Sequence, residues 1–268
     1  MTASSSDGGA EAPARRPARR QAEIAEYVVQ HGSATAHELV EAFGVSLMTV
    51  HRDLDALERQ GVVRKYRGGV TAQPTSVFES NVAYRLTTAQ PQKQALARRA
   101  RAMVEPGMSV MLDDSTSALA VVPLLEDVTP LTVATNFLPA VSQLTAMPDV
   151  RLIVLGGIYS PTHDSFGGVP CAEAVEALQT DLLLCSVSAV SSTHAYHQEQ
   201  EIVLVKRAML RSARTRVLLI DNAKLRRTAL HRLAPLTDFD LVLVDDQAPA
   251  EQVAALRDHG AAVEVVPV

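Results

Sequence analysis

Apolar residues recur at intervals of three and four along the first seventy positions, and beyond residue 90 they gather into short runs, so two architectures follow one another along the chain. From Arg20, "RQAEIAEYVVQHG" sets Ile24, Tyr27 and Val28 on one helical face and ends at Gly32. "TAHELVEAFG" opens on Thr35 with Glu38 three residues later, a capping-box pair, carries Leu39, Val40 and Phe43 inward, and stops at Gly44. Ser46 is placed to cap a third helix whose Leu47, Val50, Leu54 and Leu57 face the first two, while Met48, Arg52, Asp55 and Arg59 occupy the other side with Thr49 and His51 on its flanks. Gly61 ends that helix. "VVRKYRGGV" then reads as two short extended pieces bending at Gly68 and Gly69. Three such helices, a short Gly-containing turn and a basic hairpin predict a winged helix-turn-helix over residues 19–72.

Residues 73–90 are polar, contain Pro and lack periodicity, which suits a linker. After it come seven apolar runs, "SVMLDD", "LTVAT", "VRLIVLGG", "DLLLCSVSAV", "RVLLIDN", "FDLVLVDD" and "AVEVVPV". Helical stretches such as "SALAVVPLLEDV" and "EIVLVKRAMLRSA" separate them. The pattern predicts an α/β domain over 91–268 with a mostly parallel, doubly wound sheet covered on both faces.

Composition agrees with two folded domains: 268 residues, 47% hydrophobic, no tryptophan. No apolar run approaches the roughly 20 residues of a membrane span, and the N-terminus has Ser, Gly, Pro and Arg but no apolar core. Residues 1–18 are therefore expected to be a disordered basic tail rather than a signal peptide, and the protein to be cytoplasmic. Cys171 and Cys185 sit among apolar neighbours and are expected to be reduced, buried thiols. The formal net charge of -5 is unevenly placed. Residues 1–70 hold nine Lys or Arg against nine Asp or Glu, and all the excess acid lies beyond them. Arg15, Arg16, Arg19 and Arg20 cluster in the tail, and Arg64, Lys65 and Arg67 in the hairpin, so local patches suit phosphates although the total charge does not. The first turns of a recognition helix enter the major groove, which makes Met48, Thr49, His51 and Arg52, with Ser46 at the cap, the candidates to meet double-stranded DNA. Arg52 is the best match for a guanine. Arg64, Lys65 and Arg67 are placed for backbone contact from the wing. One head reads few base pairs, so a homo-oligomer on repeated half-sites is expected.

"FGVSLMTVHRDLDALERQGVVRKYRGGV" resembles the winged helix-turn-helix of the DeoR family of bacterial transcription regulators, with His51 where that family usually has the first Arg of a pair. The resemblance implies an operator-binding regulator, most often a repressor of carbohydrate or related metabolic genes.

In the second domain the carboxyl ends of the runs are polar in a consistent way, and ligands of such folds bind there. Asp113, Ser115, Thr116 and Ser117 end the first run, Thr135 and Asn136 the second, Gly156 and Gly157 the third, Ser186 and Ser188 the fourth, and Asp221 with Lys224 the fifth. Hydroxyls and free amides there can converge on an anion; Lys206 and Lys224 offer cations to a phosphate, and Asp113 and Asp221 acceptors to sugar hydroxyls. Residues 78 to 246 are similar to the DeoR C-terminal sensor domain, related in fold to ribose-5-phosphate isomerase, through Arg85, Lys93, "LDDSTSALA", "VATN", "LGG", "VKRAM" and "LLIDNAK". That similarity implies a phosphorylated sugar or related metabolite as effector, and adds Lys93 to the candidate site. Two departures stand out. The family's Asp-Ser-Gly-Thr-Thr loop is Asp113 to Ser117 here, one glycine fewer and the carboxylate of Asp114 more; Ser186 and Ala189 replace two further glycines. His194, His197, Glu199 and Glu201 fall in an expected loop over the cleft rather than a metal site, and neither metal nor cofactor is expected. Two other readings stay open: a sugar-phosphate isomerase-like enzyme, and a ligand-independent DNA-binding protein whose sensor domain has degenerated.

Overall fold

The computed structural model describes residues 17–59, 61–73 and 81–268. They fall into two compact units, divided between Ala72 and Gln73.

In the first unit the 3.6-residue periodicity becomes three helices, α1 (Pro17–His31), α2 (Ala36–Phe43) and α3 (Leu47–Arg59). The Thr35 hydroxyl accepts the Glu38 amide at 3.2 Å and Glu38 returns a carboxylate to the Thr35 amide at 2.6 Å, closing the expected capping box. Gly44 ends α2 at φ 64, a left-handed conformation that a Cβ disfavours. Ile24, Val28, Leu39, Val50, Leu54 and Leu57 are buried together. Leu47, expected inside, is 40% exposed because it precedes the first full turn of that stripe. Asp53, which the periodicity leaves unassigned, is buried and accepts hydrogen bonds from Arg20 and Gln21, pinning α3 to α1. A strand absent from the sequence reading, β1 (Ser33–Thr35), pairs with β3 (Gly69–Ala72), which pairs with β2 (Val63–Tyr66). Three residues are too few for alternation to register; β3 is what makes β1 a strand. The expected tail lies outside the described residues apart from Pro17 and its successor, which begin α1.

The stretch read as linker is not uniformly so. Residues 74–80 lie outside the described part, but α4 (Val82–Thr87) follows, capped by the Asn81 side chain and burying Tyr84 in the second unit. Next come α5 (Gln90–Arg101), β4 (Ser109–Leu112), α6 (Thr116–Leu119), β5 (Leu131–Thr135), α7 (Leu138–Leu144), β6 (Val150–Val154), β7 (Ile158–Ser160), β8 (Ser165–Gly167), α8 (Gly168–Glu176), β9 (Thr180–Cys185), β10 (Ala189–Val190) and β11 (His194–His197). The chain continues with α9 (Gln200–Arg211), β12 (Ala213–Ile220), β13 (His231–Pro235), β14 (Leu241–Asp245), α10 (Ala250–Asp258) and β15 (Val263–Val266). Each of the seven apolar runs supplies one strand of a wholly parallel sheet ordered β15-β14-β12-β9-β4-β5-β6.

Alternate residues of these strands feed two cores. Met111, Leu183, Leu218 and Val242 pack under α8, α9 and α10. Val110, Leu112, Leu184 and Leu219 pack under α5, α6 and α7. The long helix expected in "SALAVVPLLEDV" is cut to the four residues of α6 and two 3-10 turns, since Pro123 has no amide to continue the ladder. "HAYH" is not a loop: it is β11, the middle strand of an antiparallel sheet with β10 and β13.

Candidate functional site

In the head, Met48 is 71% exposed, and Ser46, His51, Arg52, Arg64 and Arg67 are exposed with Thr49 half-buried. The Ser46 hydroxyl accepts the Thr49 amide at 3.2 Å and so starts α3 where the sequence places it. Lys65 differs from its neighbours. Its ammonium donates to Asp55 and its amide to Glu58 at 2.9 Å, so it ties the wing to α3 and holds the Asp55 carboxyl below its ordinary range.

In the second unit, connections from β4 run towards β6 and those from β9 towards β15, so strand order reverses between β4 and β9. Such a reversal opens a crevice at the carboxyl ends of the two strands. A cavity of about 480 Å³, mouth included, lies there. Ser115 and Thr116 after β4, Ser186 and Ser188 after β9, and Asp221 and Lys224 after β12 line it, together with Lys93 of α5 and Lys206 of α9. Tyr84 and Arg85 of α4, His197 of β11, Val187 and Arg227 complete the wall. Arg85 and Arg227 were missed as site residues because they stand in stretches without periodicity; Ser186 and Ser188 carried a signal as polar strand ends.

Lys206 is already paired inside the protein. Its ammonium donates to Asp113 and lies 2.8 Å from Asp114 Oδ1, all three side chains being buried. Burial works against both charges, yet the two carboxylates raise Lys206 above the ordinary lysine value, and Lys206 holds Asp114 far below the carboxylate range. Asp113 also accepts the amides of Ser115 at 3.0 Å and Ser186 at 2.9 Å. It is fully buried and not part of the cavity wall, so it is no acceptor for sugar hydroxyls. Asp114, the carboxylate that departs from the family loop, thus belongs to an internal ion cluster. Lys224 lies 3.5 Å from Asp221 and donates to the Ser186 hydroxyl, which exists because a serine stands where the family has glycine. Lys93 donates to the Arg85 carbonyl, and burial brings it down to about 7.

Four expected residues lie away from this cavity. The Thr135 hydroxyl accepts the Phe137 amide and shapes the turn out of β5, and Asn136 donates to the Phe166 carbonyl at 2.7 Å, fastening β8 to the end of that strand. A Cβ on Gly157 would stand 2.5 Å from the Gly167 carbonyl, which marks a packing glycine, and Gly156 beside it is exposed. All four stand at or just beyond the carboxyl ends of β5 and β6, on the far side of β4 from the reversal. Ser117 is buried and does not line the wall. His197 is buried and held neutral, brought down to about 3 first by burial and then by Lys206. His163 Nε2 stands 2.8 Å from Glu199 Oε1 without the alignment of a hydrogen bond. Among the described residues no group of three or more His, Cys, Asp or Glu is placed to hold a metal, and no helix is long and apolar enough to cross a membrane.

Residues 20–75 match the DeoR-like helix-turn-helix domain and residues 88–246 the DeoR C terminal sensor domain. The helix-turn-helix transcriptional regulator YgbI of Escherichia coli K12 is 32% identical over 90% of this chain and 94% of its own. The glycerol-3-phosphate regulon repressor of the same strain is 28% identical over 90% and 96%. The putative aga operon transcriptional repressor of Escherichia coli O157:H7 is 28% identical over 98% of both chains. Ribose 5-phosphate isomerase A of Methanocaldococcus jannaschii aligns over 52% of this chain and 55% of its own at 15% identity with a TM-score of 0.38, a distant likeness that does not bear on activity. The relatives regulate transcription, which sets the isomerase-like enzyme aside. With both domain types present in order and a relative similar along nearly its whole length, the chain belongs to the DeoR family of transcriptional regulators.

Proposed function

We propose that this regulator is a cytoplasmic repressor of carbohydrate or related metabolic genes, that it binds a double-stranded operator as a homo-oligomer, and that a phosphorylated sugar or similar metabolite controls it. One observation carries the effector reading: the basic side chains of Arg85, Lys93, Lys224 and Arg227 and the hydroxyls of Ser115, Thr116, Ser186 and Ser188 surround one cavity at the strand reversal. Among the described residues Asp221 is the one carboxylate in that wall, and Lys206 is balanced by its own aspartates. Such a wall favours a dianion over a neutral sugar. Thermal stabilisation by sugar phosphates and none by the unphosphorylated sugars is expected; equal response to both sets would remove the phosphate from the reading.

Lys93 gives that binding a pH dependence. Its ordinary value is 10.5 and its folded value about 7, so it is mostly charged at pH 6 and mostly neutral at pH 8. A phosphomonoester, with a second pKa near 6, stays dianionic above pH 7. Affinity should therefore fall by about an order of magnitude from pH 7 to pH 9, with proton uptake on binding across that range. Titration calorimetry in buffers of different ionisation heat reads both quantities. Lys93→Met should flatten the profile, and an unchanged slope in that variant would exclude Lys93 as its source.

For the head, exposed Arg52 on the first turns of α3 is assigned to a base edge and exposed Arg64 and Arg67 to phosphates. Arg52→Ala should cost ~1 to 3 kcal/mol on the operator and little on random DNA. Arg64→Ala should weaken both and reduce the salt slope by about one. Lys65→Ala should do less than Arg64→Ala, because Asp55 already engages the Lys65 ammonium. Equal losses on both DNAs for Arg52→Ala would take away its reading role.

A further inference from the structure

Three arginines of this chain use one edge of the guanidinium in the same way. Arg20 lays Nε and Nη2 on Asp53 at 2.6 and 3.3 Å, Arg99 on Glu264 at 2.5 and 2.8 Å, and Arg216 on Asp240 at 3.0 and 3.1 Å. That edge is a side-on fork matched to the two oxygens of an oxyanion. Arg85 presents the same fork with nothing on it. Its Nη1 donates to the Asp114 carbonyl at 3.1 Å, which fixes the plane of the group, while Nε and Nη2 are buried and have no hydrogen-bond partner among the described residues. Buried charged donors left unpaired are costly, and in folded proteins they mark a place where something else binds. Arg85 is part of the cavity wall.

Its position in the chain gives this fork a second consequence. Arg85 belongs to α4, the first described element after the winged head in sequence. Among the attachments of α4 to the sensor unit are the Val82 amide on the Thr162 carbonyl at 2.9 Å, Val82 packed on the core, buried Tyr84, Gln90 Nε2 on the Leu86 carbonyl at 2.6 Å, Lys93 on the Arg85 carbonyl, and Arg85 Nη1 on Asp114. An anion held in the fork and shared with Ser115, Thr116 or Lys93 would add two charge-assisted bonds between α4 and the sheet. A ligand shifts a conformational equilibrium only by binding one state better, and α4 is the element whose attachment this ligand would change.

We propose that the open Nε/Nη2 fork of Arg85 receives the phosphate of the effector, and that this contact fastens α4 to the sensor core and so transmits occupancy to the chain leading into the DNA-binding head. The inference rests on the phosphorylated-effector reading above and goes beyond it in naming the anchoring side chain and the element that responds.

Inorganic phosphate serves as the probe, with full-length protein, binding followed by calorimetry and backbone exchange followed over residues 82–87. Wild type should bind phosphate and slow exchange of that segment by tenfold or more. Arg85→Lys keeps the charge and removes the fork, and Arg85→Gln removes both. Each should bind phosphate at least tenfold more weakly and show no phosphate-dependent slowing, whatever its basal exchange. A merely structural Arg85 would change the basal rate and leave the response to phosphate in place, which would overturn the proposal. So would wild-type affinity in Arg85→Lys, or phosphate binding by wild type with unaltered exchange over 82–87. Failure of wild type to bind phosphate at all is a different result, removing the phosphorylated-effector reading and this proposal with it.

Discussion

Lys206→Met is expected to destabilise the sensor unit by about 3 to 5 kcal/mol, the range found when one partner of a buried ion pair is removed. The ammonium is the cation shared by Asp113 and Asp114. Without it two neighbouring carboxylates stay buried with one positive partner fewer, and a domain with a total stability of roughly 5 to 15 kcal/mol loses a large part of it. The pH dependence has a definite sign. Asp114 is depressed, so its contribution is complete above the ordinary carboxylate range and lost only in strong acid. Lys206 is raised, so its contribution is complete below the ordinary lysine value and lost only in strong base. The cluster is therefore indifferent to pH between about 5 and 9 in the wild type. In Lys206→Met the carboxylates must share a proton, and stability should rise as pH falls towards 5. Asp114→Asn should be milder than Lys206→Met, because Lys206 retains Asp113 and Asp113 retains two amide donors. Denaturant unfolding of both variants at pH 5 and pH 8 decides it; a Lys206→Met curve that overlays wild type at pH 8 would show that the cluster does not stabilise the fold.

Operator affinity should fall by about 10² to 10⁴ when assembly is lost, because a second head bound through the same molecule acts at high effective concentration. The surface we assign to assembly surrounds the β7–β8 hairpin at the β6 edge of the sheet. Ile158 is 61% and Val169 58% exposed, and Val154, Tyr159 and Leu138 are exposed around them. Tyr159 gives its hydroxyl to Asp164 at 2.8 Å, so the nearby carboxylate is engaged. About half of five large side chains amounts to on the order of 500 Å² of apolar surface, a major part of the ~800 Å² that each partner contributes to a standard interface. A second copy of this chain is the occupant we propose for that patch, since one head reads few base pairs and an edge strand with an apolar hairpin can complement itself across a two-fold axis. Ile158→Asp combined with Val169→Asp should convert the assembly to monomer in sedimentation and weaken operator binding to the level of residues 1–72 alone. Leu230→Asp, at an exposed leucine of the segment before β13, should leave the mass unchanged. An unchanged mass for the hairpin variant would place the interface elsewhere.

The parts of this protein legible in its sequence are those whose cause is local. A capping box spans three residues, a helical face recurs within four, and a buried strand shows as an apolar run, so α1, α2, α3 and all seven strands of the parallel sheet could be read directly. The recognition-helix candidates followed, because exposure on a helix is set by the phase of its buried stripe. The candidate cavity was legible only in part. Ser115, Thr116, Lys93, Lys206, Asp221 and Lys224 do line it, but Thr135, Asn136, Gly156 and Gly157 have the same polar strand-end character and lie elsewhere. What separates the two sets is that order reverses between β4 and β9, a fact of strand adjacency that no single run contains. The same holds for Lys206, whose partner Asp113 is 93 residues away, for Arg20 and Asp53, 33 apart, and for α4, whose helix is fixed by where Tyr84 and Arg85 dock. Periodicity reports which face of one element avoids water. Which charges meet, and which donors are left open for a ligand, depends on contacts that exist only after distant elements have packed, and so the tertiary structure alone decides whether a buried lysine is a ligand or an internal counter-ion.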